Sequence, residues 1–161
     1  MIDAETRLDE HPGDHKDETR LWLRLLTCAT MIESEIRSRL RRDFGVTLPR
    51  FDLMAQLEKA PEGMTLGALS RRMMVSNGNI TGLVQSLVRD GMVERVDRAG
   101  DRRTTIVRLT DIGRASFAAM AAAHGDWLGD MFATFSLHDR AALMATLAAL
   151  KSSVRADLKE P

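Results

Sequence analysis

The spacing of apolar residues along the chain predicts a largely helical protein. In residues 21–43, for example, apolar side chains recur every three to four positions with charged side chains between them, which is typical of an amphipathic helix. Similar spacing, together with proline, glycine and capping residues at the ends of segments, predicts five further helices. The predicted N-caps include Thr65, Ser76 and Ser136. The six predicted helices span residues 21–43, 49–59, 65–73, 76–90, 111–134 and 136–157.

Two short segments between the fourth and fifth helices follow a different period. Apolar and polar residues alternate in residues 92–96 and 104–109, as they do in a strand with one buried face. The connecting residues 97–103 are rich in charge and contain Gly100, so the strands are predicted to form a hairpin with a charged tip. The predicted order is α-α-α-α-β-β-α-α, a mainly α fold of the α+β class.

Composition narrows the class of protein. Aromatic residues make up 4% of the chain and there is no Tyr, so the core must be aliphatic. A single Cys excludes an internal disulfide and predicts a reducing compartment. No apolar run is long enough to span a bilayer, and residues 1–20 lack the apolar segment of a signal peptide. We therefore expect a cytoplasmic protein with no membrane partner.

The charges of the chain balance in number but not in position. The 23 basic and 23 acidic residues cancel over the whole chain. Residues 64–116 nevertheless carry nine Arg and five acidic residues, a net charge of +4, whereas residues 1–20 carry a net charge of −4. Because the Arg side chain is suited to bidentate contact with phosphate and guanine, the basic segment indicates a nucleic-acid partner.

The third and fourth predicted helices are separated by a short break, which predicts a helix-turn-helix whose second helix can enter a DNA major groove. On that second helix the apolar residues fall on one side, and polar residues and glycines fall on the other. The apolar side consists of Ile80, Leu83, Val84 and Leu87. Asn and Gln can pair with adenine, Arg can reach phosphate, and glycine lets the backbone approach DNA closely. The candidate DNA contacts here are Thr65, Ser76, Asn77, Gly78, Asn79, Thr81, Gln85 and Arg89.

The predicted hairpin adds a second candidate DNA contact. Its tip carries Arg98, Arg102 and Arg103, and a basic loop beside a recognition helix can enter the minor groove. Asp101 lies two residues before Arg103 and is expected to orient its guanidinium. Together the two elements predict a winged helix-turn-helix.

Several segments then resemble regulators of the MarR family. They are residues 48–54, 64–72 and 87–95, and most specifically residues 101–103 followed by residues 107–113. The resemblance covers roughly residues 20–155. It implies an obligate homodimer that presents two winged helix-turn-helix domains to a palindromic operator in double-stranded DNA. It also implies a repressor that a small aromatic ligand releases.

The recognition helix resembles one branch of the family in particular, but two of its residues differ from the usual family pattern. Residues 72–83 are most similar to a branch that controls aromatic-acid catabolism, some members of which respond to aryl- or hydroxycinnamoyl-CoA thioesters. Thr81 is typical of the family, whereas Gly78 and Gly82 stand where its members usually carry bulky or basic residues. The operator sequence of better-known relatives therefore does not carry over.

The apolar faces of the terminal helices independently favour a dimer, because a compact winged domain cannot cover them. Such a dimer would space two recognition helices about 34 Å apart, one turn of DNA. The predicted organisation is a disordered acidic tail at residues 1–17, a helical dimerisation region at residues 18–46 and 111–158, and a winged helix-turn-helix domain at residues 47–110.

The effector site is predicted from the resemblance, which implies a pocket between the dimer helices and the DNA-binding domain. Trp22 would offer a stacking face, and Arg50 a partner for a carboxylate or phosphate. For each candidate the alternative is packing in the core or in an interface. The candidates are Trp22, Leu26, Ala29, Arg50, Phe51, Met54 and Phe117.

Other functions have weaker support. A winged-helix module for protein contact without DNA is the main alternative, but it gives no purpose to the basic hairpin. We expect no enzyme, cofactor or metal, because the chain has no nucleophile motif, no glycine-rich phosphate loop and no zinc-ligand spacing. His11 and His15 are weak candidates for a metal site, and Cys28 is a weak candidate for oxidant sensing, expected instead to pack as a small hydrophobe.

Overall fold

The structure is a computed structural model that describes residues 16–98 and 101–158, with backbone but no side-chain positions for residues 97, 98 and 101–104. The described residues form a mostly helical fold with a small antiparallel sheet, which confirms the predicted fold class. The elements are α1 Lys16–Phe44, α2 Leu48–Glu58, β1 Met64–Thr65, α3 Leu66–Met73, α4 Asn77–Arg89, β2 Val93–Arg98, β3 Asp101–Leu109, α5 Asp111–Met131 and α6 Leu137–Asp157.

The start of α1 corrects the predicted boundary of the N-terminal tail. Lys16 and Asp17 belong to the helix, whereas they were expected in the tail, and residues 1–15 lie outside the described residues. Asp17 and Glu18 occupy the first turn, where negative charge complements the positive end of the helix dipole. The helix therefore begins five residues before the predicted position 21.

The sheet has the order β1-β3-β2, and all its pairs are antiparallel. Strand β1 was not predicted, because two residues are too short to show a period. It forms because Met64 lies opposite Val107 of β3. Gly63 makes this pairing possible: its φ is +87°, and a Cβ there would lie 2.8 Å from the carbonyl oxygen of Val107.

An aliphatic core lies within residues 1–124, the first of two compact units into which the chain divides. As the low aromatic content predicts, most of its fully buried side chains are Leu, Ile or Val, and each stabilises the fold by about 1.5–3 kcal/mol. This core holds α3 and α4 against α2 and the sheet. Its fully buried side chains are Leu40, Leu53, Met54, Leu57, Leu69, Ile80, Val84, Leu87, Val93, Val107, Leu109 and Met120.

The second compact unit, residues 125–161, contains the end of α5 and all of α6. The predicted cap of α6 is confirmed, since the Ser136 hydroxyl accepts a hydrogen bond from the Asp139 amide at 3.1 Å. Arg140 donates to the carbonyl oxygens of Phe132 and Phe135 at 2.9 and 3.0 Å, which closes the turn between the helices. None of the 21 residues of α6 is buried.

Candidate nucleic-acid interface

A left-handed residue makes the turn between α3 and α4. Met74 has φ +55° and ψ +38°, a conformation that reverses the chain direction after the last turn of α3. Ser70 fastens the turn from both sides, since its hydroxyl donates to the Val75 carbonyl oxygen at 2.6 Å and its own carbonyl oxygen accepts from the Val75 amide at 3.2 Å. The two helices and this turn are the predicted helix-turn-helix.

Capping and burial fix the orientation of α4. The Ser76 hydroxyl accepts from the Asn79 amide at 3.3 Å, which confirms Ser76 as the N-cap. Ile80, Val84 and Leu87 are completely buried, so the side of α4 opposite them must face outward. Thr65 plays the same capping part for α3, because its Oγ1 accepts from the Ala68 amide at 3.2 Å.

The outward face of α4, defined by Gly78, Gly82, Gln85 and Arg89, is exposed along its whole length. Asn77 and Asn79 are exposed at the N-terminal end of the helix, where recognition helices contact bases. Thr81 is half-buried, and its hydroxyl donates to the Asn77 carbonyl oxygen at 2.9 Å. The predicted contacts on α4 are therefore brought together on one accessible surface.

The two glycines of the outward face have no packing reason to be glycine. A Cβ at Gly78 or Gly82 would meet no atom within 4 Å beyond its chain neighbours and the backbone of its own helix. Glycine inside a helix costs about 1 kcal/mol relative to alanine, so the chain carries a cost here that its own fold does not require. A partner that approaches the helix backbone closely would explain both residues.

The hairpin of β2 and β3 follows α4 directly, as predicted. Residues 93–97 of β2 lie opposite residues 105–109 of β3, and the register shifts between Asp97 and Arg98. Glu94 and Arg108 face each other across the hairpin, and their side chains form an ion pair at 2.6 Å. The predicted contacts Arg98, Asp101, Arg102 and Arg103 lie outside the described side chains, so their roles stay predictions.

Two basic residues beside α4 were not singled out from the sequence. Arg71 and Arg72 form the last turn of α3, and both are exposed. They lie within six residues of the start of α4, in the first helix of the helix-turn-helix. Both belong to the nine Arg counted over residues 64–116, but the spacing of apolar residues identified an outward face only for the second helix. Both are candidate phosphate contacts.

Three aromatic rings meet between α2 and α5. The ring of Phe51 lies 5.4 Å from that of Phe117 and 5.2 Å from that of His124, tilted by 31° and 39°. Phe51 and Phe117 were predicted as effector contacts, and His124 was not among the candidates. Met54, another candidate, is buried in the core one turn along α2 from Phe51.

The remaining effector candidates do not join this cluster in the described contacts. Trp22 and Leu26 are 59% and 44% exposed on α1, and Ala29 is exposed beside them. Arg50 already has an anionic partner within the chain, since its Nη2 donates to Asp90 Oδ2 at the end of α4. The structure therefore separates the candidates into three sets. Phe51, Met54 and the half-buried Phe117 pack inside the fold, three residues of α1 are exposed, and Arg50 is held in an ion pair.

One carboxyl group next to the aromatic cluster has a shifted pKa. Desolvation raises the pKa of Asp52 above its ordinary value, and the negative charge of Glu33 raises it further. His124 opposes these two effects and lowers the same pKa. Asp52 thus shares its surroundings with groups from both α1 and α5.

Several other expectations can be compared with the described residues. Cys28 is exposed on α1, so it does not pack in the core of a single copy as a small hydrophobe. Within residues 16–98 and 101–158, no group of three His, Cys, Asp or Glu side chains could hold a metal ion, and His11 and His15 lie outside that part of the chain. None of the helices described is both long and apolar enough to cross a membrane.

The sequence and the fold match known transcription regulators. Residues 44–104 match the MarR family. The chain is 35% identical over 139 residues to the transcriptional activatory protein BadR of Rhodopseudomonas palustris, covering 81% of this chain and 77% of that protein. It is also 26% identical over 106 residues to the transcriptional regulator PecS of Dickeya dadantii, covering 65% of this chain and 64% of the relative.

Solved structures show the same fold. A MarR family transcriptional regulator from Silicibacter pomeroyi is 33% identical, with a TM-score of 0.75 over 89% of this chain and 99% of the other. Streptococcus pneumoniae FabT, solved in complex with DNA, is 24% identical with a TM-score of 0.75 over 89% and 100% of the two chains, a likeness of fold. The relatives are regulators and not enzymes. This chain belongs to the MarR family of winged-helix, DNA-binding transcriptional regulators.

Proposed function

We propose that this regulator is a homodimer that binds a palindromic site in double-stranded DNA and responds to a small aromatic acid or its CoA thioester. The observation that carries the proposal is the outward face of α4. Its glycines have no packing role within the chain, and its polar residues suit base and phosphate contacts. Each copy would insert this face into one major groove.

The apolar surface of the terminal helices supports the second copy. On α6, Leu143 is 44% exposed, Met144 is 72% exposed and Val154 is 49% exposed. On α1, Trp22 and Met31 are also more than half exposed. Apolar surface of this extent is costly in water, and a symmetric interface between two copies would cover the same residues on both.

Residue roles at the DNA follow from side-chain chemistry. Asn77, Asn79 and Gln85 would contact bases, because their amides can pair bidentately with adenine. Arg89 would contact phosphate, which positions the helix without reading sequence. In the hairpin, Arg98, Arg102 and Arg103 would contact the backbone or the minor groove, with Asp101 orienting Arg103.

The rings of Phe51, Phe117 and His124 support an aromatic effector. They already pack against one another at 5.2 and 5.4 Å, and an aromatic ligand could extend such an arrangement. The similarity of residues 72–83 to the aromatic-catabolism branch suggests an aryl- or hydroxycinnamoyl-CoA thioester as the effector. Release of the protein from DNA by this ligand would make it a repressor.

One observation favours activation of transcription instead of repression. The 35% identical relative from Rhodopseudomonas palustris is named a transcriptional activatory protein. In an activator the effector would leave the protein on DNA and raise transcription from the adjacent promoter. A repressor would dissociate from DNA when the thioester binds, whereas an activator would stay bound.

A mobility-shift titration tests the effector and the sign together. The purified protein is first used to select a duplex from a random pool, and the complex is then titrated with hydroxycinnamoyl-CoA thioesters, the free acids and CoA alone. Release by a thioester but not by CoA supports the repressor. A complex that persists while the thioester raises transcription in vitro supports the activator. If no aromatic acid or thioester binds, the proposed effector class is wrong.

A further inference from the structure

An ion pair joins the first turn of α2 to the end of α4. Arg50 Nη2 donates to Asp90 Oδ2, and the two residues are 40 positions apart in the chain. Asp90 is the C-cap of α4, and its amide donates to the Ser86 carbonyl oxygen at 3.1 Å. The ion pair of Glu33 with Arg37 differs in kind, because both of its members lie in α1.

Because Arg50 is largely buried, the ion pair is expected to add little net stability to the fold. Only 18% of the Arg50 side chain is exposed, against 41% of the Asp90 side chain, and the Arg50 Nε is buried without a hydrogen-bond partner. Removing a guanidinium N–H from water without a new acceptor costs free energy, and well-packed apolar residues commonly replace such pairs without loss. The ion pair, unlike an apolar contact, fixes one geometry between the two helices.

Both members of the pair adjoin well-packed segments of the chain. Phe51, the residue after Arg50, packs against the rings of Phe117 and His124 on α5, and the next turn of α2 is in the core. Beyond Asp90, the chain turns at Gly91 with φ +72°, and the Met92 amide donates to the Leu87 carbonyl oxygen at 2.9 Å. The pair thus links a fixed helix to the final turn of the recognition helix.

We propose that Arg50 and Asp90 are positioning residues for DNA binding. Their ion pair sets the position of the C-terminal end of α4, and with it Gln85 and Arg89 on the outward face, while the Ser76 cap sets the other end. The inference rests on the proposed role of that face in reading DNA. It also gives Arg50, a candidate effector contact from the sequence, a different function.

Binding measurements on charge variants test the pair. We would compare Arg50→Met, Asp90→Asn and the double reversal Arg50→Asp/Asp90→Arg, with Arg37→Met as the control that breaks an ion pair within α1. Affinity is measured by fluorescence anisotropy for a duplex that the wild type selects from a random pool, and for an unselected duplex of equal length. Urea unfolding of each variant is measured in parallel.

The single variants should lose roughly tenfold in affinity for the selected duplex, with a smaller loss on the unselected one. The double reversal should regain most of it, as expected for two residues that act through one contact. Arg37→Met should bind as the wild type does. Equal losses on both duplexes, no recovery in the double reversal, or an equal effect of Arg37→Met would overturn the proposal. Arg50→Gln, which removes the charge but keeps a polar side chain, replaces Arg50→Met if that variant does not fold.

Hydrogen exchange separates this proposal from the proposed function. Breaking the pair should speed amide exchange at the end of α4, over residues 86–90, and the double reversal should slow it again. Unchanged exchange there overturns the positioning role whatever the protein does on DNA. If the wild type selects no duplex, the proposed function fails, and the exchange result still decides whether the ion pair holds the helix end.

Discussion

Gly113, in the first turn of α5, lies so close to Met92 that a Cβ there would be 1.9 Å from the Met92 carbonyl oxygen. That carbonyl cannot easily move away. It accepts from the Thr110 amide at 3.1 Å, and the Met92 amide donates to the Leu87 carbonyl oxygen at 2.9 Å. The contact therefore joins the start of α5 to the segment that leaves the recognition helix.

Gly113→Ala should accordingly be strongly destabilising. We expect a loss of about 3 kcal/mol in the free energy of unfolding, because either the helix or the Met92 peptide must shift. Urea unfolding monitored by circular dichroism measures the change. Gly82→Ala is the matched control, since it makes the same substitution in a helix with no atom within 4 Å of the new Cβ. Equal stability of the two variants would contradict the close contact.

Replacing a glycine of the outward face should make the protein more stable but weaken its binding to DNA. Gly82→Ala should raise the free energy of unfolding by roughly 1 kcal/mol, because alanine is the better helix former. If the α4 backbone lies against DNA, the same methyl group should weaken binding about tenfold. Anisotropy on the selected duplex and urea unfolding measure the two effects. A variant that is more stable and binds equally well would show that DNA does not require the glycine.

Base contacts and phosphate contacts should be distinguishable by their dependence on salt. Gln85→Ala should cost about 1–3 kcal/mol on the preferred duplex and relax sequence choice. Arg103→Ala should weaken binding on every duplex and reduce the slope of log affinity against log salt by about 1. Titrations at several salt concentrations measure both. If the two variants behave alike, the assigned division between α4 and the hairpin is wrong.

The raised pKa of Asp52 predicts a pH-dependent stability. The folded-state pKa of Asp52 lies above its ordinary value of 3.8, so folding favours the protonated carboxyl. The resulting contribution to stability is fully present below pH 3.8 and is lost as the pH rises through the raised pKa. Asp52→Asn should therefore stabilise the protein at pH 7, by at most about 0.5 kcal/mol since Asp52 is an exposed residue.

Unfolding of the wild type and of Asp52→Asn across the range from pH 3.5 to pH 7.5 tests this sign. The difference in free energy should be smallest at the acid end and should grow with pH. A second variant tests the contribution of Glu33 to the raised pKa. Glu33→Gln removes the nearby negative charge and should reduce the stability gained from Asp52→Asn. A difference that shrinks as pH rises would contradict the direction of the shift.

Local sequence signals predicted much of the fold. Ser76 and Ser136 were identified as helix caps because their bonds reach only three residues along the chain, and both bonds are present. The burial of Ile80, Val84 and Leu87 followed from their spacing alone. The outward face of α4 is the remainder of that helix, so it was predicted together with the core.

Contacts between distant residues were beyond such signals. Strand β1 exists because of Val107, more than 40 residues from Met64, and nothing in its two residues indicates it. The pairing of Arg50 with Asp90 and the packing of Phe51 on His124 depend on how α2 lies against α4 and α5. Periodicity predicts which face of a helix is buried but not which residue of another helix it meets.

The sequence of the selected DNA tests the central claim, that two copies of this chain present the outward face of α4 and the adjacent hairpin to a symmetric site. The wild-type protein is used to enrich duplexes from a random pool through several rounds at physiological salt, and the enriched pool is sequenced. We predict an inverted repeat whose half-sites are centred about 10 base pairs apart, one turn of the helix. Enrichment of a single half-site, or of no common sequence, would contradict the account.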